Sequence, residues 1–329
     1  MKILIRLPNW LGDVVMSTAL VASVRQIYPD SEIDVIIKKE LAGLAGLIPG
    51  INRIHLFSKN DHKGLIGAFS FGKALRSQNY DLFFNLPSSL SSLTLAWATR
   101  AKKRIGFRSE GGFFLLTDKF RKPLNAHRVD EYLFLLEQFT GNALGDRKVE
   151  LKISDTPQVD ENRVLINFNS EAESRRMPLD KGKAIIDRLM NTFTTKTFVF
   201  IGSKKESAFV AQLIEDSEHK DRIKNFAGKT DLVGLANLMI TSAVLLTTDS
   251  GPAHLANSLG TPAVVLFGAG NEFNTAPYNK INLNILRYGQ LKCEPCVKNT
   301  CELYGIPKCM ELLDELKMIA ALRVYLPDA

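Results

Sequence analysis

Two runs of short apolar segments alternating with amphipathic ones, separated by a single polar link, constrain this chain more than any other feature. In the first run Ile3 to Leu7, Glu32 to Ile37, Arg53 to Phe57 and Asp81 to Leu86 have the length and branched or aromatic content of strands. Leu41 to Leu47 and Leu65 to Leu75 read as helices, as does a segment starting at Asp13 whose Val14, Val15, Leu20, Val21 and Val24 suit burial on a sheet. A helix from Asp130 to Phe139 closes the run before the proline-containing link Ser154 to Asn162. The second run has strands at Val164 to Phe168, Thr197 to Ile201, Ile223 to Asn225, Ala243 to Leu246 and Thr261 to Phe267. Its helices cover Lys181 to Met190, Glu206 to Ile214, Leu232 to Met239 and, at the end, Leu312 to Leu322.

Such alternation predicts an α/β fold of two doubly wound parallel-sheet domains facing a cleft. A chain of 329 residues can supply a core for each. The domains are expected at 1–155 and 156–310, with a helical tail at 311–329. Ligands of these sheets sit at the carboxyl ends of strands, which puts the turns at Asp13 and Ser250 on the lips of the cleft.

The turn Thr247-Thr-Asp-Ser-Gly-Pro-Ala-His-Leu-Ala-Asn257 leads from a strand into a short helix. Ser250 suits an N-cap, Gly251 permits close approach to the backbone, and Pro252 at the first helical position gives up an N–H that would be unpaired anyway. The free amides at a positive helix end are a seat for a phosphate, and His254 adds a donor. The same residues also fit a well-capped turn with no ligand.

Asp13, after Gly12 at a helix start, is either an N-terminal carboxylate favoured by the helix dipole or a general base at the cleft, with Asn9 and Trp10 shaping the loop. Glu171-Ala-Glu-Ser-Arg-Arg-Met-Pro178 follows the strand that opens the second half. Arg175 and Arg176 there are matched to phosphate oxygens. Cys293, Cys296, Cys301 and Cys309 gather all four cysteines into one short span. Clustered cysteines in a reducing compartment point to a structural zinc, or else to free or paired thiols. No dinucleotide fingerprint is present, because Gly268-Ala-Gly270 lacks its third glycine, and Gly228-Lys-Thr230 has no P-loop glycine upstream. No Asp-x-Asp pair offers a seat for a divalent metal.

A formal charge of +7 calls for an anionic partner. Neither a basic tail nor an RNA-binding aromatic signature accompanies it, so an anionic small molecule or anionic membrane face is favoured over nucleic acid. No apolar run approaches the roughly 20 residues of a membrane span, and Pro8 interrupts the N-terminal apolar stretch too early for a signal peptide. The expected location is the cytoplasm.

Met1-Lys-Ile-Leu-Ile-Arg-Leu-Pro-Asn-Trp-Leu-Gly-Asp-Val-Val-Met-Ser17, Asp249-Ser-Gly-Pro-Ala-His254 and Leu259-Gly-Thr-Pro-Ala-Val-Val-Leu-Phe-Gly268, in this order, resemble the ADP-heptose:lipopolysaccharide heptosyltransferases of glycosyltransferase family 9. The heptosyltransferase II type is the most similar. The resemblance implies a GT-B fold of two Rossmann-like domains, acceptor in the first and nucleotide in the second, with the final helix packing back on the first. It implies inverting transfer of heptose from ADP-L-glycero-D-manno-heptose to the lipopolysaccharide inner core without a metal, peripheral to the inner membrane.

By that resemblance Asp13 is the base, and Asn169, Arg175, Arg176, Glu206, Asp249, Ser250, Gly251, Pro252 and His254 meet the donor. Asn9, Trp10, Lys59, Lys63, Arg108 and Arg128 are expected on the acceptor side. The family's Lys-x-Trp-Pro falls on Arg175-Arg-Met-Pro178, which keeps a cation but replaces the lysine and the tryptophan. Rival functions are transfer of another nucleotide sugar to a different surface glycan, and nucleotide binding without catalysis.

Overall fold

The structure, a computed structural model, describes residues 1–109, 112–145, 147–153 and 158–326. By contact the chain divides into Met1–Lys152 and Ile153–Ala329. The first unit carries strands β1 (Lys2–Arg6), β2 (Glu32–Lys38), β3 (Arg53–Phe57), β4 (Leu82–Asn85), β5 (Lys103–Phe107) and β6 (Asp118–Phe120). Its helices are α1 (Leu11–Met16), α2 (Thr18–Ile27), α3 (Ala42–Ala45), α4 (Gly64–Ala74), α5 (Leu90–Thr99) and α6 (Arg128–Thr140). The second unit has β7 (Asp160–Asn167), β8 (Thr197–Phe200), β9 (Ile223–Asn225), β10 (Ser242–Thr248), β11 (Ala263–Phe267) and β12 (Leu283–Arg287). Between and after them come α7 (Leu179–Thr192), α8 (Ser207–Ile214), α9 (Leu232–Ile240), α10 (Gly251–Ser258), α11 (Glu272–Thr275), α12 (Lys308–Glu311) and α13 (Glu315–Arg323).

The two sheets share one topology. The first runs β3-β2-β1-β4-β5-β6, and the second, read from its other edge, runs β9-β8-β7-β10-β11-β12. All ladders are parallel. Strand order therefore reverses between β1 and β4, and between β7 and β10. Loops diverge at such a point and leave a crevice at the carboxyl edge. The central strands are buried on both faces, as parallel sheets require; every residue of β10 is buried. Side chains such as Phe83 and Phe198, at 1% exposure or less, each contribute about 1.5–3 kcal/mol by leaving water. Helices α4 and α5 pack so closely that a Cβ on Gly72 would lie 2.3 Å from the Leu95 carbonyl oxygen, so only glycine fits there.

The expected alternation is present, with local corrections. Leu41 to Leu47 holds only the short α3, preceded by a 3-10 turn at Lys39–Leu41. The link expected at Ser154 to Asn162 is shorter: Asp160 to Asn162 already belong to β7, and Ser154 to Pro157 lie outside the described residues. The helix expected from Leu312 starts at Glu315, because the Asp314 carboxylate accepts from the amides of Leu316 and Lys317 and fixes its N-terminus there. That helix was expected on the first domain. Its buried face, Met318, Ile319, Ala321 and Leu322, instead joins the core of the second unit, and Glu315 binds Lys181 and Arg188 of α7.

Candidate active site

In the first unit the crevice begins where β1 ends. Arg6 closes that strand as a buried guanidinium, brought down to about 10 by burial. Its Nη1 donates to the Ile36 carbonyl at 3.1 Å and its Nη2 to Asn9 Oδ1 at 3.0 Å, while the group lies 5.0 Å from the Phe57 ring centre. Arg6 thus holds the loop that delivers Trp10, the exposed N-cap of α1, and Asp13 in its first turn. The Asp13 side chain is one-quarter exposed, with Oδ1 3.5 Å from Arg128 Nε. Arg128 opens α6 and donates from Nη1 to Glu131 Oε2 at 2.8 Å. Tyr132 beneath it has its phenol pushed well above the usual range, by burial first and the charge of Asp13 second.

The structure joins Asp13 to Arg128 directly and ties Asn9 to the same strand end. Lys59, Lys63 and Arg108 are exposed and form no ion pair among the described residues. They follow the carboxyl ends of β3 and β5, on the same edge of this sheet as Asp13.

In the second unit the loops after β7 and β10 meet over a buried polar floor. Asn167, the last residue of β7, donates from Nδ2 to Thr247 Oγ1 and to Ser250 Oγ, both at 2.9 Å. Asn169 donates to Asn167 Oδ1 at 3.1 Å and to the Ile201 carbonyl at 2.8 Å. The Thr248 hydroxyl donates to the Asn169 carbonyl at 2.5 Å. Asn169 is buried, so it serves this floor rather than an open surface, although its Oδ1 has no partner.

Ser250 occupies the N-cap position, but its side chain does not cap: its hydroxyl donates to the Thr248 carbonyl at 3.2 Å. Gly251 is the first helical residue and Pro252 the second, one place later than expected. No side chain caps the start of α10; Pro252 has no N–H and the Ala253 amide donates to the Ser250 carbonyl at 3.1 Å, so the amides of Ser250 and Gly251 are the ones this helix start can offer an anion. His254 is buried rather than at the surface.

Asp249 is 2% exposed, and burial pushes its carboxyl up to about 6, with Arg175 the main opposing influence. Arg175 Nη1 lies 3.3 Å from Asp249 Oδ2, an ion-pair distance without hydrogen-bond alignment. The expected phosphate cation is thus already paired. Arg176 turns elsewhere, donating to the Ser170 carbonyl at 3.0 Å and covering the Phe209 ring at 5.5 Å. The Glu206 carboxylate accepts from the Ser203 amide at 2.7 Å in a capping box, a local structural use beside the donor contact expected of it.

Arg287, absent from the sequence reading, braces the neighbouring loop. It binds the Gly268 carbonyl at 2.8 Å, the Gly270 carbonyl, and Glu272 Oε1 at 2.9 Å. Gly270 packs against Asp249, where a Cβ would stand 2.0 Å from Oδ2.

The four cysteines line one cavity of about 20 Å³ together with Glu294. Cys309 has its thiol pushed up to about 11, by burial first and then by Glu294. Among the described residues no group of three or more His, Cys, Asp or Glu side chains is placed to hold a metal ion, and the four thiols are free, which agrees with the free-thiol alternative and does not bear out a structural zinc.

Two doubly wound units of identical strand order, each with its polar site at the switch point, define the GT-B class of fold. Residues 68–306 match glycosyltransferase family 9 (heptosyltransferase), and the chain belongs to that family. It is 30% identical over 307 residues to lipooligosaccharide heptosyltransferase 2 of Haemophilus ducreyi, covering 85% of this chain and 87% of that protein. It is 29% identical over 285 residues to the lipopolysaccharide core heptosyltransferase OpsX of Haemophilus influenzae, covering 83% and 80%. The fold superposes on ADP-heptose lipopolysaccharide heptosyltransferase II of Escherichia coli with a TM-score of 0.83, at 21% identity over 99% of this chain and 98% of that one.

Proposed function

We propose that this chain transfers heptose from ADP-heptose to the inner core of lipopolysaccharide, inverting the anomeric carbon and using no metal. The observation that carries this reading is the identity with lipooligosaccharide heptosyltransferase 2 across 85% of the chain. The site chemistry agrees with it.

Asp13 removes the proton from the acceptor hydroxyl as its oxygen attacks the anomeric carbon of the donor. General bases of this kind contribute roughly a hundredfold or more. As the bond from that carbon to the phosphate oxygen breaks, negative charge grows on the leaving ADP. The α10 amides and Arg175 take up this charge, and preorganised donors of this sort are each worth about 3 kcal/mol. Asp249 sets the position of Arg175. Arg128 steers the Asp13 carboxylate, and Lys59, Lys63 and Arg108 meet acidic groups of the acceptor. Asn169 and Glu206 support the nucleotide side through the loops they hold.

The test is direct. Incubation with ADP-heptose and a heptose-deficient lipopolysaccharide is expected to release ADP and add the mass of one heptose to the core. Binding of ADP-heptose with no mass gain on any inner-core acceptor would contradict the reading.

A further inference from the structure

Helices α4 and α5 lie side by side on the first unit and turn an apolar face outward. Ile66 is 85% exposed, Trp97 48%, Leu65 46% and Leu90 42%. Phe69 bridges the two helices, its ring 5.7 Å from that of Trp97 and covered on one side by Arg76 at 5.6 Å. Arg76 Nε in turn donates to the Ala98 carbonyl at 2.7 Å, locking the ends of the two helices together. The patch is therefore held in place, not a consequence of a frayed helix. Neither helix contains an acidic residue.

The sequence around these helices is strongly basic. Between residues 62 and 109 stand eight lysines and arginines and a single acid, Asp81; Lys102 is paired with Asp81 at 2.7 Å and Lys103 with Asp118 at 3.4 Å, and the neighbouring Asp61 faces Lys39 at 3.8 Å. Lys63 caps α4, Lys73 lies in its last turn and Arg100 caps α5; none of the three has a carboxylate partner among the described residues. Exposed aliphatic residues with a tryptophan, rimmed by cations, are the pattern of a surface that lies on a bilayer. An apolar contact alone would fit many partners; the excess of unpaired lysine and arginine, Lys73 and Arg100 among them, selects an anionic one.

We propose that the α4–α5 face docks this chain on an anionic lipid bilayer, with Ile66 and Trp97 entering the headgroup region and Lys73 and Arg100 meeting lipid phosphates. This rests on the reading above only in that a lipid-linked acceptor makes such docking useful; the surface itself is read from the first unit alone. It brings the chain to a lipid-linked acceptor.

Flotation of the full chain with vesicles tests it. Binding is expected to vesicles containing phosphatidylglycerol, far less to phosphatidylcholine alone, and to weaken as salt is raised. Ile66→Glu with Trp97→Ala is expected to weaken binding on the order of tenfold or more. Ile281→Glu, an equally exposed apolar position in the second unit, is expected to change nothing. An unaltered circular dichroism spectrum and melting temperature in each variant show that the fold is kept. Should the double variant not fold, Lys73→Glu is expected to weaken binding severalfold at low salt.

Native protein that ignores phosphatidylglycerol vesicles, or variants that float as well as native, would overturn the proposal. So would gel filtration showing a dimer that the double variant disperses, since the face would then be covered by a second copy. Transfer to a soluble, delipidated core oligosaccharide separates the two readings. Vesicle binding without any transfer leaves the surface standing and removes the heptosyltransferase function, and transfer without vesicle binding does the reverse.

Discussion

The guanidinium of Arg175 stands 3.3 Å from the buried carboxylate of Asp249, so the first cation of the Arg175-Arg-Met-Pro178 stretch is held by one of the protein's own anions. Removing one partner of such a pair leaves the other charge buried alone. Arg175→Ala is expected to destabilise the chain by about 1–3 kcal/mol, discounted because Arg175 is partly exposed, and to weaken ADP binding. Arg175→Ala with Asp249→Asn is expected to regain stability without regaining ADP affinity. Thermal melting and calorimetry check this; additive losses of stability in the double variant would show that the pair does not couple.

The same carboxylate gives a pH dependence whose sign can be worked out. Its folded pKa, about 6, is above the ordinary value of 3.8, so the folded state holds the proton more tightly than the unfolded chain. The resulting stabilisation is present at low pH and is lost as pH rises from near 4 through about 6. The melting temperature of native protein minus that of Asp249→Asn is therefore expected to rise as pH is lowered from 7 to about 5. Parallel curves would contradict the assignment.

Gly270→Ala puts a methyl group 2.0 Å from Asp249 Oδ2, in a loop whose carbonyls are fixed by Arg287. Overpacking of this kind costs about 1–3 kcal/mol, and ADP affinity is expected to fall with it. Gly46→Ala, where the new Cβ meets nothing within 4 Å, is the control and should be near neutral. Equal effects at the two positions would refute a special role for Gly270.

Asn167→Ala would leave Thr247, Ser250 and Asn169 without their shared partner in a buried site. An unsatisfied buried group costs about 1–3 kcal/mol. Weaker ADP binding is expected, because Ser250 sets the start of α10. An unchanged ADP dissociation constant would separate the polar floor from the donor site.

Much of this was legible in the residues. Alternating apolar runs gave β1 to β4 and β7 to β11 but missed β5, whose start is the charged pair Lys103-Arg104, and Asp13 and Asp249 to Gly251 fall at the predicted strand ends because parallel topology leaves their loops nowhere else to go. Helix α5 is harder to read, since its exposed Leu90 and Trp97 blur the helical stripe, and β12 is obscured by asparagines on an edge strand. The three-residue β6 has too short a pattern to detect. Pairing of Arg175 with Asp249, the use of Glu206 as a cap and the burial of Arg6 are tertiary facts that spacing does not encode. For Arg6 one signal was available: it is a lone charge inside the apolar run Ile3 to Leu7.

The most direct test of the central claim is heptose transfer from ADP-heptose to heptose-deficient lipopolysaccharide in EDTA, comparing the native chain with Asp13→Asn. The account predicts that native transfer persists in the chelator and that the variant loses at least about a hundredfold in rate while still binding ADP. Full activity in Asp13→Asn, or a native activity abolished by EDTA and restored by a divalent metal, would contradict it.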